Sequence, residues 1–293
     1  MSAGLLMLLD DIAATTDDIA AMSKIAIKKT TGILGDDLAL NAEQVSGMTS
    51  SRELPVIYKV FKGSLYNKLI LVPLALIISY FAPWLMIPLL MIGGAYLCYE
   101  GVENLCEKVF DKESHAEKKS LEVEVDTTEY ENKKVKGAIR TDFILSSEIV
   151  VVSLNSLGET SFMNKVISMS LLALFFTFFV YGLVALIVRL DDIGFWFKRK
   201  KNIIFDKIGS GLINVVPYIM KGLTLIGLIA MFLVGGGIIV HGLPFIGKSV
   251  EGFELTNSFV IFLTESLVNF GVAFIVGLIL VLIHKFYLKL NKA

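Results

Sequence analysis

Two short runs set a carboxylate among hydroxyls inside otherwise apolar sequence: Ser146-Ser147-Glu148 and Thr264-Glu265-Ser266. Hydroxyl groups hydrogen-bond a carboxylate or complete the oxygen shell of a cation, which apolar helix neighbours cannot do. Ionisable groups at membrane depth are costly and face a bundle interior or a cavity. The pattern therefore predicts one internal polar site for an ion or substrate, with Glu148 and Glu265 as its charges and Ser146, Ser147 and Thr264 around them. Glu100 and His241 are further candidates, although each closes an apolar run, where an interfacial position explains it equally well. Glu103 and Lys221 are the other charges to be placed.

The acidic pairs Asp10-Asp11, Asp17-Asp18 and Asp36-Asp37 form a second constellation. The first two pairs are seven residues apart and share a helical face. Oxygen-rich clusters of this kind suit Mg²⁺ or Ca²⁺. A solvated helix face, or pairing with Lys24, Lys28 and Lys29, is the stronger explanation of the same residues. A bound cation of open identity is thus the inorganic ligand to look for, and no cofactor is expected. Cys98 and Cys106 have neither zinc nor redox spacing, and His115, His241 and His284 are scattered. No phosphate-binding loop, nucleophile elbow or HExxH run is present, so an enzyme is not the expectation.

The elements that must position these groups are membrane helices. The chain has 293 residues, 55% of them hydrophobic, and a mean hydropathy of +0.70. A net charge of −1 gives no electrostatic case for nucleic acid, and the partner implied is the lipid bilayer, with a homo-oligomer left open. Residues 163–189, 212–241 and 259–284 each meet the roughly 20-residue length of a spanning helix. Residues 69–99 as one helix would run about 46 Å, longer than the ~30 Å hydrocarbon core, and Ala82-Pro83-Trp84 lies near their middle. Proline breaks a helix, so a hairpin of two short, spanning or re-entrant arms is expected. Residues 141–157 are apolar but carry Ser146, Ser147, Glu148, Ser153 and Asn155, and read as a partner for the strong 163–189 helix.

The fold expected is all-α and polytopic, with about six membrane segments in three hairpins. An amphipathic interfacial or cytoplasmic segment over 1–68 precedes hairpins at 69–99, 141–189 and 212–284. Between them lie a charged loop at 100–140 and a basic loop at 190–211, with a tail at 285–293. In the first segment Leu5, Leu9, Ile12, Ile19, Met22 and Ala26 follow helical spacing and predict a stripe packed on the bundle or the lipid interface. Basic residues cluster in the segments outside the hairpins, and the hairpin tips hold only Lys165 and Lys248. The positive-inside rule then places both termini in the cytoplasm. No cleavable leader is evident before Asp10-Asp11, and a chain of this kind inserts through its own internal segments. Gly93-Gly94 and Glu100-Gly101 ahead of one candidate run are echoed by Gly236-Gly237 and His241-Gly242 ahead of the other. This suggests an inverted repeat with its site at the repeat interface, although glycine pairs also recur in membrane helices for packing alone.

Several runs carry a family resemblance: LLDDIA at 8–13, KKTTGILGDDLALNAEQV at 28–45, RELPV at 52–56, NKLILVP at 67–73, PLLMIGGAYLCYEG at 88–101 and KGAIRTDFILSSEI at 136–149. Together with APW at 82–84 they resemble the YedI-type bacterial inner-membrane proteins, a family with a domain-of-unknown-function label. The resemblance implies a polytopic inner-membrane protein and no particular activity. The function expected from the residues is a transporter or channel-like permease for a small cation or a proton-coupled solute. A non-transporting scaffold that binds lipids or a partner is the alternative, and an intramembrane enzyme a distant third.

Overall fold

The computed structural model describes residues 2–45, 50–110, 127–158, 160–200, 203–243, 245 and 258–290. Among them the chain forms eight α-helices: α1 (Ser2–Val45), α2 (Ser50–Phe81), α3 (Met86–Phe110), α4 (Thr127–Ser156), α5 (Phe162–Val188), α6 (Leu190–Lys198), α7 (Ile203–Gly242) and α8 (Ser258–Leu290). The fold is all-α and polytopic. Five helical stretches are long and apolar enough to cross a membrane: Arg52–Phe81, Pro83–Cys106, Phe162–Val188, Ile204–Gly242 and Val260–Leu290.

The break in the first apolar block falls at the proline. α2 ends at Phe81, a single 3₁₀ turn runs over Pro83–Leu85, and α3 starts at Met86. The arms then part company: α2 packs on α4 and α5, while α3 packs on α7 and α8. Two other boundaries differ from those the sequence suggests. α2 begins at Ser50, so residues 50–68 continue the first membrane arm rather than the N-terminal segment. α4, the sixth membrane segment expected, is not among the five apolar stretches: Arg140, Asp142 and Glu148 interrupt its apolar run, and its inward face also buries Thr141, Ser146 and Ser153 beside Asp142. That polar face is covered by protein on α1, α2 and α5, the condition under which such a helix is tolerated at membrane depth.

α1 joins the halves of the bundle, packing on α4, α5 and α7. Its second half is inserted: Ala26, Leu34, Ala39, Leu40 and Ala42 are buried. Of the expected N-terminal stripe, Met22 and Ala26 pack against the bundle core. The side chains of Leu5, Leu9 and Ile12 lie outside the described residues.

Large apolar side chains cover the outside, among them Leu69, Ile77, Phe178, Ile275, Ile279 and Leu282. A water-soluble monomer does not carry so extensive an apolar surface, whereas lipid requires it. Tyr80, Phe81 and Trp84 are exposed at the α2–α3 turn, and Phe195 and Trp196 on short α6. These positions fit the aromatic belts of the two membrane–water interfaces.

Helices α3, α7 and α8 meet through small residues. A methyl group on Gly94 would lie 3.0 Å from the Gly235 carbonyl oxygen, and one on Gly235 would lie 3.0 Å from that of Gly94. Gly94 and Gly235 therefore meet at one close crossing, whereas Gly93 faces Ile144 on α4, and Gly236 and Gly237 face Asn269 on α8. At Gly236 an added methyl would overlap the Asn269 backbone carbonyl. Gly236→Val should accordingly lower stability by roughly 1–3 kcal/mol or more, read as a lower thermal midpoint in detergent. Gly182 has nothing within 4 Å of its own added methyl, so Gly182→Ala is the matched change that should be neutral or slightly stabilising.

Candidate functional site

The largest buried polar cluster joins four helices. α2 presents Ser64, Asn67 and Lys68 on the face that also buries Val60, Leu71 and Val72, as the i, i+4 spacing of a helix dictates. α4 contributes Asp142 and Ser146 at the same spacing, α1 contributes Asp37 and Asn41, and α5 contributes Tyr181.

Asp142 is the hub. Its carboxylate accepts hydrogen bonds from Ser64 Oγ at 2.8 Å and Asn67 Nδ2 at 3.0 Å, and Tyr181 Oη lies 2.9 Å away. Lys68 Nζ stands 3.8 Å from Asp142 Oδ1, with both side chains essentially excluded from solvent. The ammonium donates to Ser64 Oγ and Ser146 Oγ, each at 2.9 Å. On the α1 side Asn41 Nδ2 donates to Asp37 Oδ1 at 2.7 Å, and Tyr181 Oη lies 2.9 Å from Asn41 Oδ1. The tyrosine hydroxyl thus faces two acceptors on two different helices with one proton to donate.

The charges do not balance. Asp37 and Asp142 oppose one lysine in a cluster from which solvent is excluded. Burial first, and then the neighbouring Asp142 carboxylate, pushes Asp37 up to about 7, against the opposing pull of Lys68 and the Asn41 hydrogen bond. Burial alone lifts its neighbour Asp36 to about 6. Counted along α5, Tyr181 lies eight residues before Arg189, about 12 Å at helical rise. That depth is inside a ~30 Å hydrocarbon layer.

Of the residues the sequence singles out, Ser146 belongs to this cluster. Glu148, on α4, is half-buried, and its Oε2 has no hydrogen-bond partner among the described residues. Ser147 Oγ bonds back to the Phe143 carbonyl at 2.7 Å. Glu100 accepts from Thr141 Oγ1 at 3.1 Å, and Glu103 from Tyr99 Oη at 2.8 Å. His241 is exposed near the end of α7, with Nδ1 2.8 Å from the Gly237 carbonyl. Glu265 is exposed on α8, which packs on α3 and α7, and Thr264 bonds its own helix at the Val260 carbonyl. The structure therefore gives Glu265 and Thr264 no place beside Glu148, and the site forms around Asp142 instead.

The acidic pairs are dispersed too. Asp17 and Asp18 are exposed, Asp36 is half-buried and Asp37 buried, and the side chains of Asp10 and Asp11 lie outside the described residues. Among the described residues no three His, Cys, Asp or Glu side chains gather as metal ligands. The residues missed in sequence are Lys68, Asp142, Asn41, Ser64, Asn67 and Tyr181. The available signal was spacing: Ser64-Lys68 and Asp142-Ser146 are i, i+4 polar pairs on stripes that continue as Leu71-Val72 and Ile149-Val150.

No curated protein and no solved structure matches the chain. A protein family of unknown function matches residues 3–284, a stretch that includes all four helices of the cluster. On that match the chain belongs to DUF808.

Proposed function

We propose that this protein is a permease of the bacterial inner membrane that binds a proton or small monovalent cation at Asp37 and Asp142 and couples that binding to movement of a solute. One observation carries the reading: two buried carboxylates share a cluster with a single buried ammonium, which pairs with Asp142 alone, leaving one negative charge to be met by an exchangeable cation. Ionisable groups held inside a membrane bundle mark ion pathways and proton relays. Four helices supply the cluster, so the charge it holds changes how those helices are tied together. Two carboxylates with neutral hydroxyl and amide partners suit H⁺ or a monovalent ion better than Mg²⁺ or Ca²⁺, which take larger oxygen shells. The distribution of basic residues supports cytoplasmic placement of both termini, and reporter fusions at Met1 and Ala293 test that orientation.

The functional test uses the full chain in liposomes containing a pH-sensitive dye. Imposed H⁺, Na⁺ or K⁺ gradients should decay at least about tenfold faster with wild type than with Asp37→Asn. Thermal midpoints in detergent should also depend on pH or on one of these ions in wild type alone. Decay equal to that of empty liposomes, with midpoints independent of pH and ions, would favour the scaffold reading, in which the cluster only pins helices.

A further inference from the structure

The diverging arms of the α2–α3 hairpin leave a cleft of about 460 Å³ between them, floored by α4. Leu71, Leu74 and Ile78 line one wall, and Met86, Leu89 and Ile92 the other. The floor is the α4 stripe Phe143, Ile144, Ser147 and Val151. Its one hydroxyl, on Ser147, is already bonded within its helix. From Arg140 to Val151 the floor rises through eleven residue steps, about 16 Å at helical rise. That is close to the ~15 Å depth of one leaflet, half of the ~30 Å hydrocarbon core.

The cleft changes character at one end. Arg140 lines it there, and its Nη1 donates to Tyr96 Oη at 2.8 Å, with the guanidinium 5.3 Å from the Tyr96 ring centroid. The bond to Tyr96 occupies one of five guanidinium N–H groups. Lys136 and Lys133 lie four and seven residues earlier on the same helix, and both are exposed. That spacing puts all three cations on the stripe that forms the cleft floor, with the lysines about 6 Å and 10 Å beyond Arg140. Two carboxylates stand nearby: Glu100, which accepts from Thr141 and also feels the Arg140 charge, and Glu103, which accepts from Tyr99.

We propose that this cleft is a binding site for one anionic phospholipid drawn from the surrounding bilayer. An acyl chain lies between α2 and α3, and the phosphate sits against Arg140, Lys136 and Lys133. The occupant follows from two features: an apolar trough of acyl-chain length bounded by spans on both sides, and three cations that lead from its Arg140 end along α4 to the exposed Lys136 and Lys133. Arginine and lysine pair with phosphate oxygens, and basic pockets between membrane helices on the cytoplasmic side are where anionic headgroups bind. This inference does not depend on the Asp37–Asp142 reading.

Native mass spectrometry of the full chain, titrated with dioleoyl phosphatidylglycerol or dioleoyl phosphatidylcholine, tests it. Wild type should retain one phosphatidylglycerol about tenfold more strongly than phosphatidylcholine. A K133Q/K136Q/R140Q variant should lose that preference. Val151→Phe, which fills the trough, should weaken both lipids, and glycerol phosphate should fail to compete. Undiminished phosphatidylglycerol retention in either variant, or full competition by glycerol phosphate, would overturn the proposal. A readout independent of variant folding is phosphatidylglycerol with a photoactivatable acyl chain, cross-linked to wild type in liposomes. Labels on residues 71–78 or 143–151 are expected, and labels confined to the outer face of α8 would equally overturn the site.

Discussion

Asp142→Asn should destabilise the folded protein by about 3–5 kcal/mol, the usual cost of removing one partner from a buried ion pair. The substitution keeps the volume, so packing is not the cause. What it removes is the negative charge 3.8 Å from Lys68 Nζ, leaving an ammonium enclosed by Ser64 and Ser146 hydroxyls. It also sets an amide where Ser64, Asn67 and Tyr181 all present donors, so one amide N–H faces another donor without an acceptor. Chemical unfolding in detergent measures the loss. The double variant Asp142→Asn with Lys68→Met should recover part of it, because the stranded charge is gone. A strong positive coupling between the two sites in that cycle is the signature of the pair. Additive losses would mean that Lys68 is stabilised from elsewhere.

The second large effect is a pH dependence centred on Asp37. In the unfolded chain its carboxyl titrates near 3.8, and in the fold near 7. The folded state therefore binds the proton more tightly than the unfolded chain between these values. Stability then falls as pH rises through that window. Below about pH 4 both states are protonated and the term vanishes, and above about 7 the full penalty of burying the charge applies. Asp37→Asn should flatten the decline of the thermal midpoint between pH 5 and 7.5 without loss of fold, since Asn retains an acceptor for the Asn41 amide. An unchanged slope in this variant would assign the titration to another group, with Asp36 the first to check.

The membrane architecture was legible because its signals are strong and local. The chain leaves the helix at Ala82-Pro83 and turns there, although Pro73 in the same stretch sits inside α2. Residues 163–189 are too apolar to be anything but a long helix, and α5 covers them. The central cluster was hidden for a different reason. Lys68 stands at the boundary of an apolar run, where a lysine ordinarily reaches for water, and Asp142 follows Arg140 and Thr141, where it reads as the end of a charged loop. Their burial is decided by α1, whose second half slides between α4, α5 and α7. That placement depends on long-range packing of Ala26, Leu34 and Leu40, which helical spacing alone does not reveal. Glu265 stands apart from that cluster: Thr264 bonds its own helix, and the carboxylate is exposed on α8.

Asn41 stands between the two acids of the cluster, giving its amide hydrogens to Asp37 and lying within reach of the Tyr181 hydroxyl through its oxygen. A carboxyl or a hydroxyl can take up one proton and release another, but a carboxamide near neutral pH does neither readily. The row Asp142–Tyr181–Asn41–Asp37 is therefore interrupted twice: Tyr181 has one proton for two acceptors, and Asn41 relays none. Asp37 and Asp142 feel each other's charge across it without exchanging a hydrogen ion along it. Asn41 is in this respect an insulator set between the two acids.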